Sequence, residues 1–327
     1  MLRESSVLVA LVALIDRVPV PPPAAPRRGR PRVYPDRLFL KALVVMILRR
    51  LTRVHGLLAV LDEPTPEMRR LRALLTDARG RYPSRRTWER RLAAIPATLP
   101  AQIACLGAHL VRLLDPWERW GPAAAIDSTV LRAGGGVWHK THREAGVVPH
   151  TSIDTAAHWT KSGWHGWVYG YKLHLATTVA AVWIPLAATL TPANRADNEE
   201  APALIERLPD AVRFVLGDQH YADPDLHALC AAHDRVLVTS KPGRYPHADD
   251  GVEVRRLFHE LRSRSLENFN SQFKAIFGCL GQVPTRGLVP TQRFALGAVL
   301  VYQLTLLHRS EAGADLRVGL KPFLQAA

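Results

Sequence analysis

Cysteine is scarce in this chain of 327 residues: Cys105, Cys230 and Cys279 stand far apart, and no Cys-x-x-Cys pair occurs. That excludes a disulfide framework and a thiolate zinc site, and leaves buried, reduced thiols as the expectation. Long apolar runs are missing too. The longest, Val7–Ile15 and Leu38–Leu48, the second broken by Lys41, fall short of the roughly 18 residues of a membrane span. Val7–Ile15 ends at Asp16 and Arg17 without a small-residue cleavage site, so it does not read as a signal peptide. A cytoplasmic protein without a membrane partner is expected. With 47% hydrophobic and 22% charged residues, the composition excludes wholesale disorder and a fibrous chain. The length suits two domains, or one large domain with an arm.

Lysine is rare, only 7 of the 43 basic residues, and arginine is abundant. The formal charge of +14 is unevenly placed: residues 1–120 carry +12 and residues 121–327 carry +2. A localised basic face is what neutralising phosphates requires, which points to nucleic acid; the plainer alternative is a solvated arginine-rich surface.

Along the first third, a short apolar helix is followed by a proline-rich run over residues 18–26, a stiff linker. Arg27-Arg28-Gly29-Arg30-Pro31-Arg32 then resembles an AT-hook core, a narrow extended strand suited to an A·T-rich minor groove, with Arg28 and Arg30 as contacts. Helical spacing runs from Asp36 to Arg50. Ser84, after Pro83, reads as the N-cap of a further helix. On it Arg85, Arg86 and Arg90 lie away from Trp88, Leu92 and Ile95, so it could enter a major groove; a solvated surface helix is the plainer reading. Residues 1–120 are therefore expected to form a basic, mainly helical DNA-binding region.

Beyond Trp120 the texture changes. Strands are expected at Ala123–Val130, Gly170–Val179, Val182–Leu190, Val212–Leu216 and Val236–Thr239, with helices at Glu199–Leu208, Pro224–His233, Leu266–Leu280 and Thr291–His308. This order indicates an α/β fold with a mixed sheet flanked by helices, over residues 121–310, with a tail at 311–327.

Asp127 follows the apolar Ala124-Ala125-Ile126, and Asp218 follows Phe214-Val215-Leu216-Gly217. A carboxylate at a strand end is costly beside apolar neighbours unless it is solvated, paired or bound to a cation. Neighbouring strands would set both at one sheet edge, and Glu267, read as starting a helix, could bring a third acid. Hard oxygen donors suit Mg²⁺ or Mn²⁺, and two ions about 3.5–4 Å apart would serve phosphoryl transfer. Lys274, seven residues after Glu267, returns to the same helix face about 10.5 Å along the axis. Structural acids are the alternative.

Ala125-Ile126-Asp127-Ser128-Thr129, Gly170-Tyr171-Lys172-Leu173-His174, Thr191-Pro192-Ala193-Asn194-Arg195-Ala196-Asp197, Leu216-Gly217-Asp218-Gln219-His220-Tyr221 and Glu267-Asn268-Phe269-Asn270-Ser271-Gln272-Phe273-Lys274 occur in this order. As an ordered set over roughly residues 120–310 they resemble the DDE-type transposases of bacterial insertion sequences. The resemblance implies a ribonuclease H-like fold, catalytic acids at Asp127, Asp218 and Glu267 holding two Mg²⁺ (Mn²⁺ possible), and a DNA-contacting Lys274. It also implies cleavage of double-stranded DNA at element ends, joining of the 3′-hydroxyl to target DNA, and a homodimer on DNA, in the cytoplasm with the nucleoid. The chain departs from the pattern at Ser263, where the signature carries Arg; Arg262 or Arg264 could substitute. A non-catalytic DNA-binding relative and a nuclease on the same fold are the other classes.

Lys172 and His174 share one strand face, and Lys172 is the expected phosphate contact there. Asp197 with Glu200 fits a capping box. Trp138, Trp159, Trp164 and Trp167 could stack on unpaired bases or pack under a loop. His139, His142, His150, His158 and His165 lack the pattern of a zinc site.

Overall fold

A computed structural model of the protein describes residues 6–22, 33–117, 121–163, 166–239, 252–317 and 319–325. The arginine-rich stretch with Arg28 and Arg30, and also Trp164 and His165, lie outside the described residues.

The first third is helical, and its helices start where side chains can satisfy their free N–H groups. Helix α1 (Val7–Leu14) is capped by Ser6, α4 (Pro66–Leu74) by Thr65 with Pro66 opening it, and α5 (Arg85–Ala94) by Ser84. Each hydroxyl accepts from the N–H three residues on, and Pro in the first turn gives up an N–H that would have had no partner. Between them α2 (Asp36–Leu48) is buried along most of its length, α3 (Val54–Leu61) is shorter, and α6 (Leu99–Leu114) closes the region. Lys41, buried within α2, keeps its charge satisfied by Asp16 at 2.7 Å and the Leu74 carbonyl at 3.1 Å.

The described residues of the second part form one six-stranded mixed sheet. Its strands are β1 (Ala123–Arg132), β2 (His158–Ser162), β3 (Gly166–Thr178), β4 (Pro185–Pro192), β5 (Phe214–Gly217) and β6 (Val236–Thr239). Strand β3 is the longest and is antiparallel to three others. On one side it pairs with β1; on the other its first half pairs with β2 and its second half with β4. Strands β1, β5 and β6 run parallel to one another. Their connections pass through α8 (Asp197–Ile205) and α9 (Pro224–Ala232). The short α7 (Lys140–Glu144) sits in the connection after β1, and α10 (Val252–Phe277), α11 (Leu288–Glu311) and α12 (Lys321–Gln325) complete the chain.

Helix α11 is apolar all round and buried from Phe294 to Leu307, the signature of a core helix. It packs on β4 and on α1, α2 and α6. One hydrophobic core therefore runs from Leu8 to Leu324 through both parts of the chain. Gln303, buried on α11, ties the junction with donated bonds to the Ile103 carbonyl of α6 and the Pro185 carbonyl of β4.

The expected strands and helices are present with ends moved by a few residues. Helix α10 is the exception: it starts at Val252, so Glu267 stands well inside it rather than at its beginning. Strand β2 carries no alternation that separates it from a loop, and its pairing with β3 supplies the order. Among the described residues no single helix is long and apolar enough to cross a membrane. Cys230 and Cys279 are buried and Cys105 is half-buried, all three as free thiols.

Candidate active site

In the parallel pair β1 and β5, Ala125 lies opposite Leu216. Two residues further along each strand stand Asp127 and Asp218, so the register delivers both carboxylates to the same edge. This is the C-terminal edge of the parallel strands, where open α/β sheets bind their ligands.

Asp127 is the more enclosed of the two. Its Oδ1 accepts the Ser128 N–H at 2.8 Å, and its Oδ2 has only a long contact, 3.4 Å, from the guanidinium of Arg262. Burial pushes its carboxyl up to about 6; Arg262 and the Ser128 N–H oppose this, while Asp218 and Asp197 add to it. Ionising Asp127 beside two other acids is costly, and a cation at this edge would relieve the cost. Asp218, 29% exposed, opens a short 3₁₀ turn. Its Oδ1 accepts the His220 N–H at 2.8 Å and its Oδ2 lies 3.1 Å from His220 Nδ1.

Helix α10 crosses this edge with Leu266, Phe269 and Phe273 turned into the core. Arg262 lies on the same inward side, one turn earlier, which is why it reaches Asp127. The two arginines flanking Ser263 thus part company: Arg262 is buried against Asp127, and Arg264 is exposed. Glu267 follows the inward Leu266 by one residue, about 100° around the helix, and is exposed. Among the described residues no three His, Cys, Asp or Glu side chains converge as a shared ion would require; the acids brought together are Asp127 and Asp218. Lys274 is half-buried near the end of β1. Burial lowers its pKa, Cys279 opposes this, and Arg132 adds to it.

A third carboxylate reaches the edge from an unexpected place. Asp197 does not cap α8: Ala196 is the N-cap, without a side-chain bond, and Asp197 is the first helical residue. Its Oδ1 accepts from Lys172 Nζ at 3.0 Å, and Lys172 also donates to the Arg195 carbonyl at 3.1 Å. Lys172, 13% exposed on β3, is therefore committed to Asp197 rather than turned out toward a phosphate. His174, fully buried, pairs with Thr191 Oγ1 at 2.9 Å. Burial drives its pKa down to about 4, against the pull of Asp197 and with help from Lys172, so it is neutral near pH 7 and its 3.6 Å approach to Asp197 is no ion pair. A strand pattern shows that Lys172 and His174 share a face. It carries no sign that Asp197, more than twenty residues later, fills that face.

In the basic third, Arg85, Arg86 and Arg90 are exposed on α5 while Trp88 and Leu92 are buried. Arg85 is paired with Glu89 at 2.8 Å. Of the tryptophans, Trp138 donates to the Val147 carbonyl and lies under Arg143, Trp159 packs edge-on to Tyr169, and Trp167 is 67% exposed on β3.

A mixed sheet with Asp127 inside β1 and Asp218 just past the end of the adjacent parallel β5 defines an α/β protein with an acidic sheet edge. The family model of the transposase DDE domain matches residues 121–304, more than half of the chain, and the protein belongs to that family. It is thereby a transposase whose substrate is DNA. No curated protein matches the chain.

Proposed function

We propose that the protein is an insertion-sequence transposase that cuts DNA at element ends and joins the freed 3′-hydroxyl to target DNA, on a ribonuclease H-like core. The observation that supports this most is the pairing of Asp127 and Asp218 at one edge by the register of β1 and β5. Their oxygens are hard donors that fit Mg²⁺ or Mn²⁺. Burial raises the carboxyl of Asp127 to about 6, and a cation held beside it would favour its ionised form. Glu267 is assigned as the third acid from the Glu-x6-Lys spacing with Lys274. Two ions held by these residues would activate the attacking oxygen and stabilise the leaving oxygen.

The chain's own groups do the rest. Arg262 neutralises and holds Asp127. Lys274 and the exposed Arg264 supply positive charge along α10 for the DNA backbone. Arg85, Arg86 and Arg90, with Arg28 and Arg30, bind the element ends, and two copies of the chain hold two ends for one joining event. The protein works in the cytoplasm, on the nucleoid.

The test is cleavage and strand transfer on DNA carrying the element's ends, with Mg²⁺ or EDTA, for wild type and Asp218→Ala. Joined products are expected only from wild type with Mg²⁺. The substitution should lower cleavage about a thousandfold with end binding nearly unchanged. Cuts without joining would assign a nuclease, and binding without cuts a DNA-binding relative.

A further inference from the structure

One buried phenol, that of Tyr221, lies within electrostatic reach of three carboxylates, Asp127, Asp197 and Asp218. Tyr221 is 1% exposed, one turn after Asp218, with its backbone N–H bonded to the Asp218 carbonyl at 3.1 Å. Its ring lies against the bare Cα of Gly217: a Cβ there would sit 2.9 Å from Tyr221 Cβ and 3.0 Å from a ring carbon. Only glycine before Asp218 lets the phenol fold back under the strand end and into the acidic edge. Burial above all raises the phenol's pKa, Asp127, Asp197 and Asp218 add to this in that order, and Arg262 opposes it. Yet the Tyr221 hydroxyl has no hydrogen-bond partner in the protein. A buried hydroxyl left unpaired costs about 1–3 kcal/mol, so a phenylalanine here would serve packing better.

The neighbouring carboxylates differ in how far they are satisfied. Asp218 has both oxygens engaged by His220. Asp197 is neutralised by Lys172. Asp127 Oδ1 is taken by the Ser128 N–H, while Oδ2 has only the 3.4 Å approach of Arg262. Among the described residues, Asp127 Oδ2 and Asp197 Oδ2 are the acceptors without a close donor; of the two residues Asp127 has the weaker counterion, Arg262 at 3.4 Å against Lys172 at 3.0 Å, and the stronger pull on the phenol. We infer that Tyr221 is a positioning residue of the site, whose hydroxyl donates to Oδ2 of Asp127 when that carboxylate turns to hold a divalent cation, fixing its orientation. Hydrogen bonds to ligating carboxylates fix ligands in this way, and their loss typically lowers metal affinity about 10–100-fold.

The inference rests on the proposed cation role of Asp127, and the experiment separates the two. Binding of Mn²⁺ to the full chain without DNA is measured by electron paramagnetic resonance and calorimetry for wild type, Tyr221→Phe and Asp127→Asn, with thermal unfolding of each in EDTA. Tyr221→Phe is expected to weaken Mn²⁺ about tenfold while its midpoint in EDTA equals or exceeds that of wild type. Asp127→Asn is expected to abolish this binding. Wild-type Mn²⁺ affinity in Tyr221→Phe, beside loss in Asp127→Asn, would overturn the role of Tyr221 alone. A Tyr221→Phe protein that is destabilised or fails to fold would overturn it too, because the hydroxyl would then be structural. Absence of Mn²⁺ binding by wild type would overturn the cation role of Asp127 and this inference with it.

Discussion

The first third of the chain and the sheet edge around Asp127 are electrostatic opposites built on one core. In the first third the excess charge is positive and faces outward. Arg86 and Arg90 are exposed, and ion pairs such as Arg72 with Asp62 and Arg49 with Glu67 trim the excess without cancelling it. At the sheet edge Asp127, Asp197 and Asp218 gather negative charge among apolar strands, with Arg262 and Lys172 as partial counterions. Exposed charge on helices costs little and steers a polyanion; crowded charge at a sheet edge is expensive and stores affinity for cations. On the proposed function, a DNA strand held by the first region would meet repulsion at the second unless cations stood between them, and the difference would separate binding from chemistry.

The comparison breaks most readily at the junction. Gly107 of α6 lies against β4, where a Cβ would stand 2.7 Å from the Pro185 carbonyl oxygen and 3.1 Å from Leu186 Cα. Gly107→Val should cost about 3 kcal/mol by overpacking, read as a lower midpoint in urea. One cooperative transition is expected, since both parts share a core; two transitions would show separable units.

Next in size, replacing Arg85, Arg86 and Arg90 by Ala should weaken end binding about 10–100-fold and reduce the slope of log affinity against log salt by about 2. The reduction falls short of three full contacts because Glu89 already engages Arg85. Binding isotherms at four KCl concentrations check this. An unchanged slope would return the arginines to a solvated surface.

The smallest effect sharpens the acidic side. The folded carboxyl of Asp127 titrates at about 6, above its ordinary 3.8. Between those values the native state binds the extra proton, so wild type loses stability as pH rises from 3.8 to 6 and gains none back above it. The shift is worth roughly 3 kcal/mol; less what Arg262 loses when its partner is neutralised, Asp127→Asn should be more stable than wild type above pH 6 by about 1–2 kcal/mol, with the advantage gone below pH 4. Thermal unfolding across pH in EDTA measures it, and equal curves would mean that Asp127 is relieved already by Arg262.

Much of this was legible because short-range rules govern it. Ser84 after Pro83 announces α5, and the apolar runs before Asp127 and Asp218 announce their strands, although β1 continues past Asp127 to Arg132 while β5 stops at Gly217. The departures have tertiary causes. Asp197 with Glu200 has the spacing of a capping box, but a partly buried Lys172 on a neighbouring strand competes for the carboxylate and wins. Glu267 has the spacing of a site residue, while the inward face of α10 belongs to Arg262, Leu266, Phe269 and Phe273. Tyr221 shows as one aromatic residue in a motif; its buried, unpaired hydroxyl exists only once Gly217 lets the ring fold under Asp218.

The sequence by itself determined the uneven charge, the alternation of strands and helices, the acids after apolar runs and the family signature, because each depends on residues close together or on composition. The tertiary structure decided what those residues face. Parallel register set Asp127 beside Asp218, α10 turned Arg262 rather than Glu267 toward them, and α11 joined both parts in one core. Packing across long sequence separations chooses among partners that local spacing leaves equal, and that choice made an acidic edge out of scattered carboxylates.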